Sequence, residues 1–437
     1  MPFHKTSKQE WRPQARFRGR WPPWAQTLSL YAGTQAMIQV ISFLTGIVIV
    51  RNLAKEDYAY YTIANTVQGS MILLADTGVG TGVLAVGGRV WQDRVRMGQL
   101  ITTALRLRRT VALIVVSCAA PIMLWQLTHN GAGLPYALLL FTLVVLGLYF
   151  HLTIGVVGIV PRLHGRLDRV QTFEMMAVTL RLVLILGASL LFLNAAAAMA
   201  TAVLSFALLS SLYWRAAADL IDRQAPANAE DAATLRRLVV GQAANVVFYC
   251  LQGQITIWLI ASFGDAESVA EVGAVGRLGV IFSLIGAIMT NVMGPRFARW
   301  QDRDLLKRRY VQMVLALASA LFGIFVLTLF LSKQILWVLG SKYAHLEDAL
   351  TLLMAGALLS TLGTGLWTLN MARAWVDFLW LFIPSTLLTQ VVSLRFLDVG
   401  SVHGVLLFGV ISTIPWLLLN LLMTYRGFRS SQWPDHG

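Results

Sequence analysis

A chain of 437 residues with 57% hydrophobic and only 13% charged side chains falls well short of the roughly one-quarter charged residues of a soluble domain. A net charge of +14 would suggest nucleic acid in a soluble protein. Here the basic residues cluster between long apolar runs, where membrane orientation and anionic lipid headgroups account for them and nucleic acid does not. The runs are continuous rather than alternating, which disfavours a membrane β-barrel and predicts an all-α, polytopic membrane protein.

The chain starts with a basic, aromatic arm (1–26), MPFHKTSKQEWRPQARFRGRWPPWAQ, without the apolar core or small-residue cleavage site of a signal peptide. About twelve spans are expected. The first six fall at 27–50, 60–86, 110–128, 134–160, 172–193 and 195–214, and the second six at 238–262, 270–294, 311–332, 349–371, 375–396 and 402–424. The polar linker RAAADLIDRQAPANAEDAATLRR (215–237) separates a first lobe (27–214) from a second (238–425), and a short tail (426–437) follows. Two halves of six spans suit an internal duplication about an axis along the membrane normal. With the N-terminus inside, 28 of the 35 Lys and Arg residues lie on the inner side and 5 on the outer. The positive-inside rule then places both termini in the cytoplasm. Every outer connection is short, the longest being KQILWVLGSKYAHLED (333–348), so none could hold a catalytic domain.

Polar side chains recur within the spans at helical spacing. Span 1 carries Tyr31, Gln35, Gln39 and Ser42; span 2 carries Tyr61, Asn65, Gln68 and Asp76; span 7 carries Gln242, Asn245, Tyr249, Gln252 and Thr256. Such stripes either hydrogen-bond neighbouring helices or line a water-filled cavity between lobes, and their alignment on the spans that open each half favours the cavity. Two arginines lie deep in spans. Arg181 sits in span 5 at a depth similar to Asp76, which leaves open an ion pair between them or contact of Arg181 with substrate. Arg277, in GAVGRLGVIF, has no carboxylate in its own segment on the same face. An arginine costs about 3 kcal/mol at the bilayer centre on the lenient scale. Facing a cavity, it would grip an anion, phosphate above all, with its planar fork of donors. His151 reads as a packed, hydrogen-bonded imidazole, Cys118 and Cys250 as packing residues, and Pro384 and Pro415 as sites where helices kink. No nucleotide-binding loop, zinc-protease motif or nucleophile elbow occurs, and no cofactor or metal is expected.

Three stretches carry a family resemblance: QVISFLTGIVIVRNLAKEDYAYYTIANT (39–66), LLADTGVGTGVL (73–84) and ILWVLGSKYAHLEDALTLLMAGALL (335–359). They resemble an Arg-x-Leu turn with an acidic pair and Tyr, an Asp-x-Gly element late in helix 2, and a Gly-x-x-Tyr loop between helices 9 and 10. These features belong to the multidrug/oligosaccharidyl-lipid/polysaccharide (MOP) exporter superfamily, and specifically to its polysaccharide-transporter branch of Wzx-type flippases. The Gly usually following the Tyr is Ala59 here. The resemblance implies a MATE-like, V-shaped pair of six-helix lobes that alternate between inward- and outward-open states in the bacterial cytoplasmic membrane. It implies a substrate of polyprenyl-diphosphate-linked oligosaccharide, moved from inner to outer leaflet, and partnership with polysaccharide polymerase and export machinery. Cavity arginines would hold the diphosphate, which suits Arg277 and Arg181. Asp76, Gln35, Gln39, Asn65, Gln68, Gln242, Asn245 and Gln252 complete the expected cavity. The coupling ion, H+ or Na+, is left open. A cation-coupled multidrug exporter of the same superfamily would want cavity carboxylates, of which Asp76 is the one candidate. A membrane-embedded ligase or polymerase would want a larger outer loop.

Overall fold

The structure, a computed structural model, describes residues 23–279, 303–373 and 378–430, Trp375 and a few positions between 281 and 297. Within that range the side chains of residues 23–32 and of a few later positions, Gln242 and Asn245 among them, are not described. Among the described residues there are helices and no strands, and ten helices are long and apolar enough to cross a membrane. In lipid this is the expected economy, since a helix satisfies its backbone groups within itself.

The first half contains α1 (Pro23–Asn52), α2 (Lys55–Asp76), α3 (Val79–Val90), α4 (Arg94–His129), α5 (Leu134–Val157), α6 (Ile159–Leu163), α7 (Leu167–Leu191) and α8 (Ala195–Ala217). The second contains α9 (Ala229–Phe263), α10 (Ala266–Gly276), α11 (Arg303–Phe330), α12 (Ser332–Leu339), α13 (Glu347–Ala372), α14 (Phe382–Phe396) and α15 (Val402–Ser430). Side-chain caps fix several starts: Asp93 accepts from the Val95 and Arg96 amides, Asn228 from Glu230 and Asp231, and Asp265 from Ser268.

Two expected spans differ. The run 60–86 is broken after Asp76, where Gly78 takes the left-handed conformation (φ 72°) and starts α3. The run 270–294 begins as α10, tightens into a 3-10 turn at Arg277–Gly279 and then continues largely outside the described residues. The basic stretch 87–109 is not a surface loop throughout. From Arg94 it is the foot of α4, whose 36 residues span roughly 54 Å. Its buried positions Met97, Ile101, Ala104, Arg108 and Ala112 recur every three or four residues. Pro415 does lie inside α15, whereas Pro384 falls in the first turn of α14, where proline needs no kink. Cys250 is buried as expected, but Cys118 is exposed on α4. His151 packs edge-on to Phe206, and its Nδ1 has no hydrogen-bond partner.

The two halves share a core at one end, and it continues through the second half to Phe297, Leu306 and Tyr310. A continuous apolar cluster runs from Ile49, Tyr58 and Met71 of the first half into Val272, Val275, Leu339 and Tyr343 of the second. This is the end predicted to face outward. Towards the other end the first half closes on a separate cluster, including Val79, Met97, Val156 and Tyr213, which takes Leu235 from the foot of α9. The second half has its own small cluster there around Phe248, Phe382 and Met423.

Among the described residues a seam between α4 and α9 follows the full height of the molecule. At its foot Arg96 grips Asp231 with two bonds of 2.6 and 2.9 Å. At its head Gln126 donates to Ser262 and Asn130 Nδ2 donates to the Ala261 carbonyl at 2.9 Å.

The predicted outer end is sealed by a loop. Gly340, at φ 111°, leads into a 3-10 turn that buries Tyr343 edge-on to Tyr58 at 6.4 Å. Because an L side chain strains in that backbone region, Gly340→Ala is expected to cost about 1–3 kcal/mol. A lowered thermal unfolding midpoint of the purified protein, absent in an exposed control such as Ser341→Ala, checks this.

Candidate functional site

The closed end is a contact between the turn after α1 and the 340–347 loop. Arg51 donates to the Trp337 carbonyl at 2.9 Å and lies over the Trp337 ring, while Lys342 donates to the Leu53 carbonyl. Beside it Lys55 bonds Glu267 and, at 3.2 Å, Glu271; His345 Nε2 lies 2.8 Å from the same Glu271 carboxylate. Glu267 is mostly exposed, so its share is of the usual small surface size, about 0–1 kcal/mol. Glu271 is only 10% exposed and forms the stronger link. Burial alone would depress the Lys55 ammonium, but its hydrogen bonds to Glu267 and Glu271 and their attraction outweigh it and hold its pKa above the ordinary 10.5. A raised lysine pKa stabilises below the ordinary value and loses its effect only as pH climbs beyond it. The lysine side of this latch therefore stays charged at any physiological pH.

Just inside the latch, two guanidinium groups meet on the tyrosines of α2. Arg277, at the end of α10, donates through Nε to the Tyr58 hydroxyl at 2.7 Å and lies 5.6 Å from the centroids of both Tyr58 and Tyr61. Arg181 of α7 donates through Nη2 to the Tyr61 hydroxyl at 3.2 Å, and its own Nε has no partner. Gly46 of α1 makes room, because a Cβ there would overlap Arg277 Nη1. Among the described residues neither arginine has a carboxylate within ion-pair distance. Their partners are phenol oxygens and ring faces, which attract a cation but do not neutralise it.

From there a surface descends along α2 towards the other end. α2 is surrounded by α4, α5, α8, α9 and α10, yet Asn65, Gly69 and Leu73 are exposed and Asp76 partly so. A helix enclosed by five others exposes such a stripe to an internal gap, not to lipid. At its foot Asp76 pairs with Arg108 at 2.5 Å, and Arg108 also donates to the Leu152 carbonyl at 3.0 Å.

The Asp76–Arg181 pair, which the sequence left open, is therefore not formed. Arg181 meets α2 at Tyr61, fifteen residues before Asp76, about 22 Å away along the helix. Gln35 donates to Glu174 at 3.0 Å, a carboxylate that also accepts from Arg162 and Tyr213. Gln68 is buried and donates to the Val144 carbonyl. Both thus bond neighbouring helices of the first half, while Gln39 and Asn65 remain exposed. Gln252 pairs reciprocally with Gln390 in the second half, at 3.1 and 2.6 Å. The side chains of Tyr31, Gln242 and Asn245 lie outside the described residues. Arg108, 1% exposed, was missed because its charge assigned it to a loop; its place in the three-to-four residue buried rhythm of α4 was the available signal.

No family model matches the sequence, and no curated protein matches it. Solved structures do. The lipid II flippase MurJ in an inward closed conformation superposes with a TM-score of 0.70 at 11% identity, covering 92% of this chain and 89% of that one. An inward-facing multidrug resistance MATE family transporter of the MOP superfamily gives 0.65 at 15% identity, over 90% and 96% of the two chains. The fold is that of the MOP-superfamily transporters. An outward-facing structure of the MATE type gives 0.54 at 16% identity, over 92% and 96%.

Two outcomes are expected. Asp76→Asn should strand the Arg108 charge and destabilise the protein by about 3 kcal/mol, near the low end for a broken buried pair because Asp76 is itself half exposed. Adding Arg108→Met should recover much of that loss in thermal unfolding, whereas additive losses would exclude coupling. For this contact, Lys55→Met should loosen the packing of α10 on α2 at that end. This would be read as faster maleimide labelling of Thr62→Cys, which replaces a residue buried in the α2–α10 seam, in a background lacking Cys118 and Cys250.

Proposed function

We propose that the protein is an alternating-access transporter that carries a polyprenyl-diphosphate-linked oligosaccharide from the inner to the outer leaflet of the bacterial cytoplasmic membrane. The observation that carries this reading is the meeting of Arg181 and Arg277, one from each half, on Tyr58 and Tyr61 without a carboxylate. Two uncompensated positive charges at membrane depth are costly unless an anion periodically joins them. A diphosphate suits them, since each guanidinium can exchange a phenol for a bidentate phosphate contact. Binding between the halves would also favour drawing them together, which couples headgroup capture to the conformational cycle.

The sealed predicted outer end supports an inward-facing resting state. The higher TM-score to the inward-facing than the outward-facing MATE structure, 0.65 against 0.54, agrees with it. In this reading Gln39 and Asn65 face the gap where the glycan passes, the polyprenyl tail remains in lipid, and no covalent chemistry is involved. Delivery at the outer leaflet would supply a polysaccharide polymerase. Similarity to a structure described as a lipid II flippase makes a lipid-linked substrate the natural comparison.

A second reading has its own support. Asp76 is 48% exposed at the foot of the same gap, and a multidrug exporter with the MATE fold could use such a carboxylate for cation or proton coupling. The pairing of Asp76 with Arg108 leaves little net negative charge there for a cationic drug.

The deciding experiment compares wild type with Arg277→Ala and Arg277→Lys. Both variants are expected to be present and folded in the membrane yet to lose polymer export, Lys included, because an ammonium cannot reproduce the Tyr58 bond together with a planar fork. Deletion of the gene should leave a polyprenyl-linked glycan facing the cytoplasm. Wild-type export by Arg277→Ala, or accumulation on the outer leaflet, would sink the proposal.

A further inference from the structure

At the end predicted to face the cytoplasm, an open pocket of about 500 Å³ lies between the foot of α4 and the linker that follows α8, within the usual range for small-molecule sites. Two close approaches build it. The Asp222 amide donates to the Arg94 carbonyl at 2.9 Å, and Gly98 lets the linker pass, because a Cβ there would overlap the Asp222 carbonyl oxygen. The side chains of Arg94, Asp222 and Arg223 are thereby set around one opening.

These three charges face water rather than each other. Arg94 and Arg223 are exposed and Asp222 is half-buried, and none of the three forms an ion pair among the described residues. Other charges beside them are already engaged: Arg96 with Asp231, Asp219 with Arg166, and Asp93 with the first amides of α4. Arg223 is held in place, since Nη2 donates to the Trp214 carbonyl and the guanidinium lies over the Trp214 ring, 5.3 Å from its centroid. Its remaining N–H groups are left for a ligand. One Asp222 oxygen accepts from the Gln224 amide at 2.9 Å, and the second makes no hydrogen bond among the described residues.

The depth is that of a lipid headgroup. At the predicted outer end the Ala195 amide donates to Asp57, and Trp214 follows along α8 about 28 Å further on, close to the roughly 30 Å of a hydrocarbon core. An indole at that level marks the inner interface, and the guanidinium stacked on it stands where phosphates do. Val95, exposed and apolar, adds a greasy lip.

Two cations and one anion set apart around a pocket select a ligand that carries both signs. A purely anionic head such as phosphatidylglycerol satisfies the arginines but meets Asp222 with like charge. Phosphatidylcholine has both signs, yet its quaternary ammonium offers the carboxylate no N–H. Phosphoethanolamine supplies a phosphate for the guanidinium forks and, one ethylene arm away, a primary ammonium for the carboxylate. We propose that this pocket binds the headgroup of an inner-leaflet phosphatidylethanolamine, with Arg94 and Arg223 on the phosphate and Asp222 on the ammonium. The site is separate from the arginines beneath the outer seal and does not depend on the cargo.

The test uses the full chain, delipidated in detergent and titrated with dioleoyl phosphatidylethanolamine, phosphatidylcholine or phosphatidylglycerol, with bound lipid counted by native mass spectrometry. Wild type should bind one phosphatidylethanolamine about tenfold more tightly than phosphatidylcholine, as expected for one charge-assisted hydrogen bond, and more tightly than phosphatidylglycerol. Asp222→Asn keeps an acceptor for the Gln224 amide but removes the charge, and should invert the order so that phosphatidylglycerol binds better. Arg94→Gln, at a side chain with no hydrogen bond or ion pair among the described residues, should weaken both lipids. Equal binding of all lipids by wild type, or tighter phosphatidylglycerol as on a plain basic surface, would overturn the proposal without recourse to any variant. An unchanged order in a folded Asp222→Asn protein would do the same. So would equal competition by soluble sn-glycero-3-phosphoethanolamine, which would assign the pocket to a ligand from the cytoplasm and not from the bilayer.

Discussion

The architecture depends on one asymmetric contact, the docking of the 340–347 loop and the start of α10 onto the corner between α1 and α2. Tyr343 against Tyr58, Lys342 on the Leu53 carbonyl and Lys55 between Glu267 and Glu271 join the two halves there. The contact mixes a modest apolar interface with exposed and half-buried charge pairs. Such a mixture is strong enough to hold and weak enough to release, because surface pairs contribute little and no single link dominates. A purely apolar joint of the same extent would favour one state permanently.

The arginine cluster lies directly beneath that joint. Arg277 reaches from α10 past Gly46 to Tyr58 and Tyr61, so separating α10 from α2 would also separate a guanidinium from its phenol and ring partners. In the proposed function, occupancy of the site and closure of the joint would thereby be linked through the same side chain. Linkage of this kind requires the ligand to prefer one arrangement, which two arginines from opposite halves provide when they share one anion.

Much of this was legible in the sequence. Continuous apolar runs gave the helical class and most spans, because hydrocarbon admits few alternatives. The stretches around Arg51 and Gly340, singled out separately, turn out to touch. What could not be read were partners. Depth counted along a span placed Asp76 and Arg181 together, but the break at Gly78 and the early start of α7 set them far apart. A charge count put Arg108 in a loop although it is among the most buried side chains. Of the glutamine stripes, Gln35 and Gln68 bond within the first half, and spacing alone does not separate a seam from a gap. Tyr61 was read as part of the span 2 stripe, but neither it nor Tyr58 was read as an arginine partner.

The linker divides the sequence after α8, but the mechanical division lies elsewhere. Leu235 of α9 sits in the first half's core and Arg96 clasps Asp231, while higher up Phe248 and Gln252 are tied to the second half. With α4 fastened to α9 from foot to head, that edge acts like the spine of a book. In the proposed cycle, opening would then occur away from that edge. In the proposed function, a molecule hinged in this way would admit the head of a lipid sideways while its long tail trails out between the covers, so the tail need never cross the water.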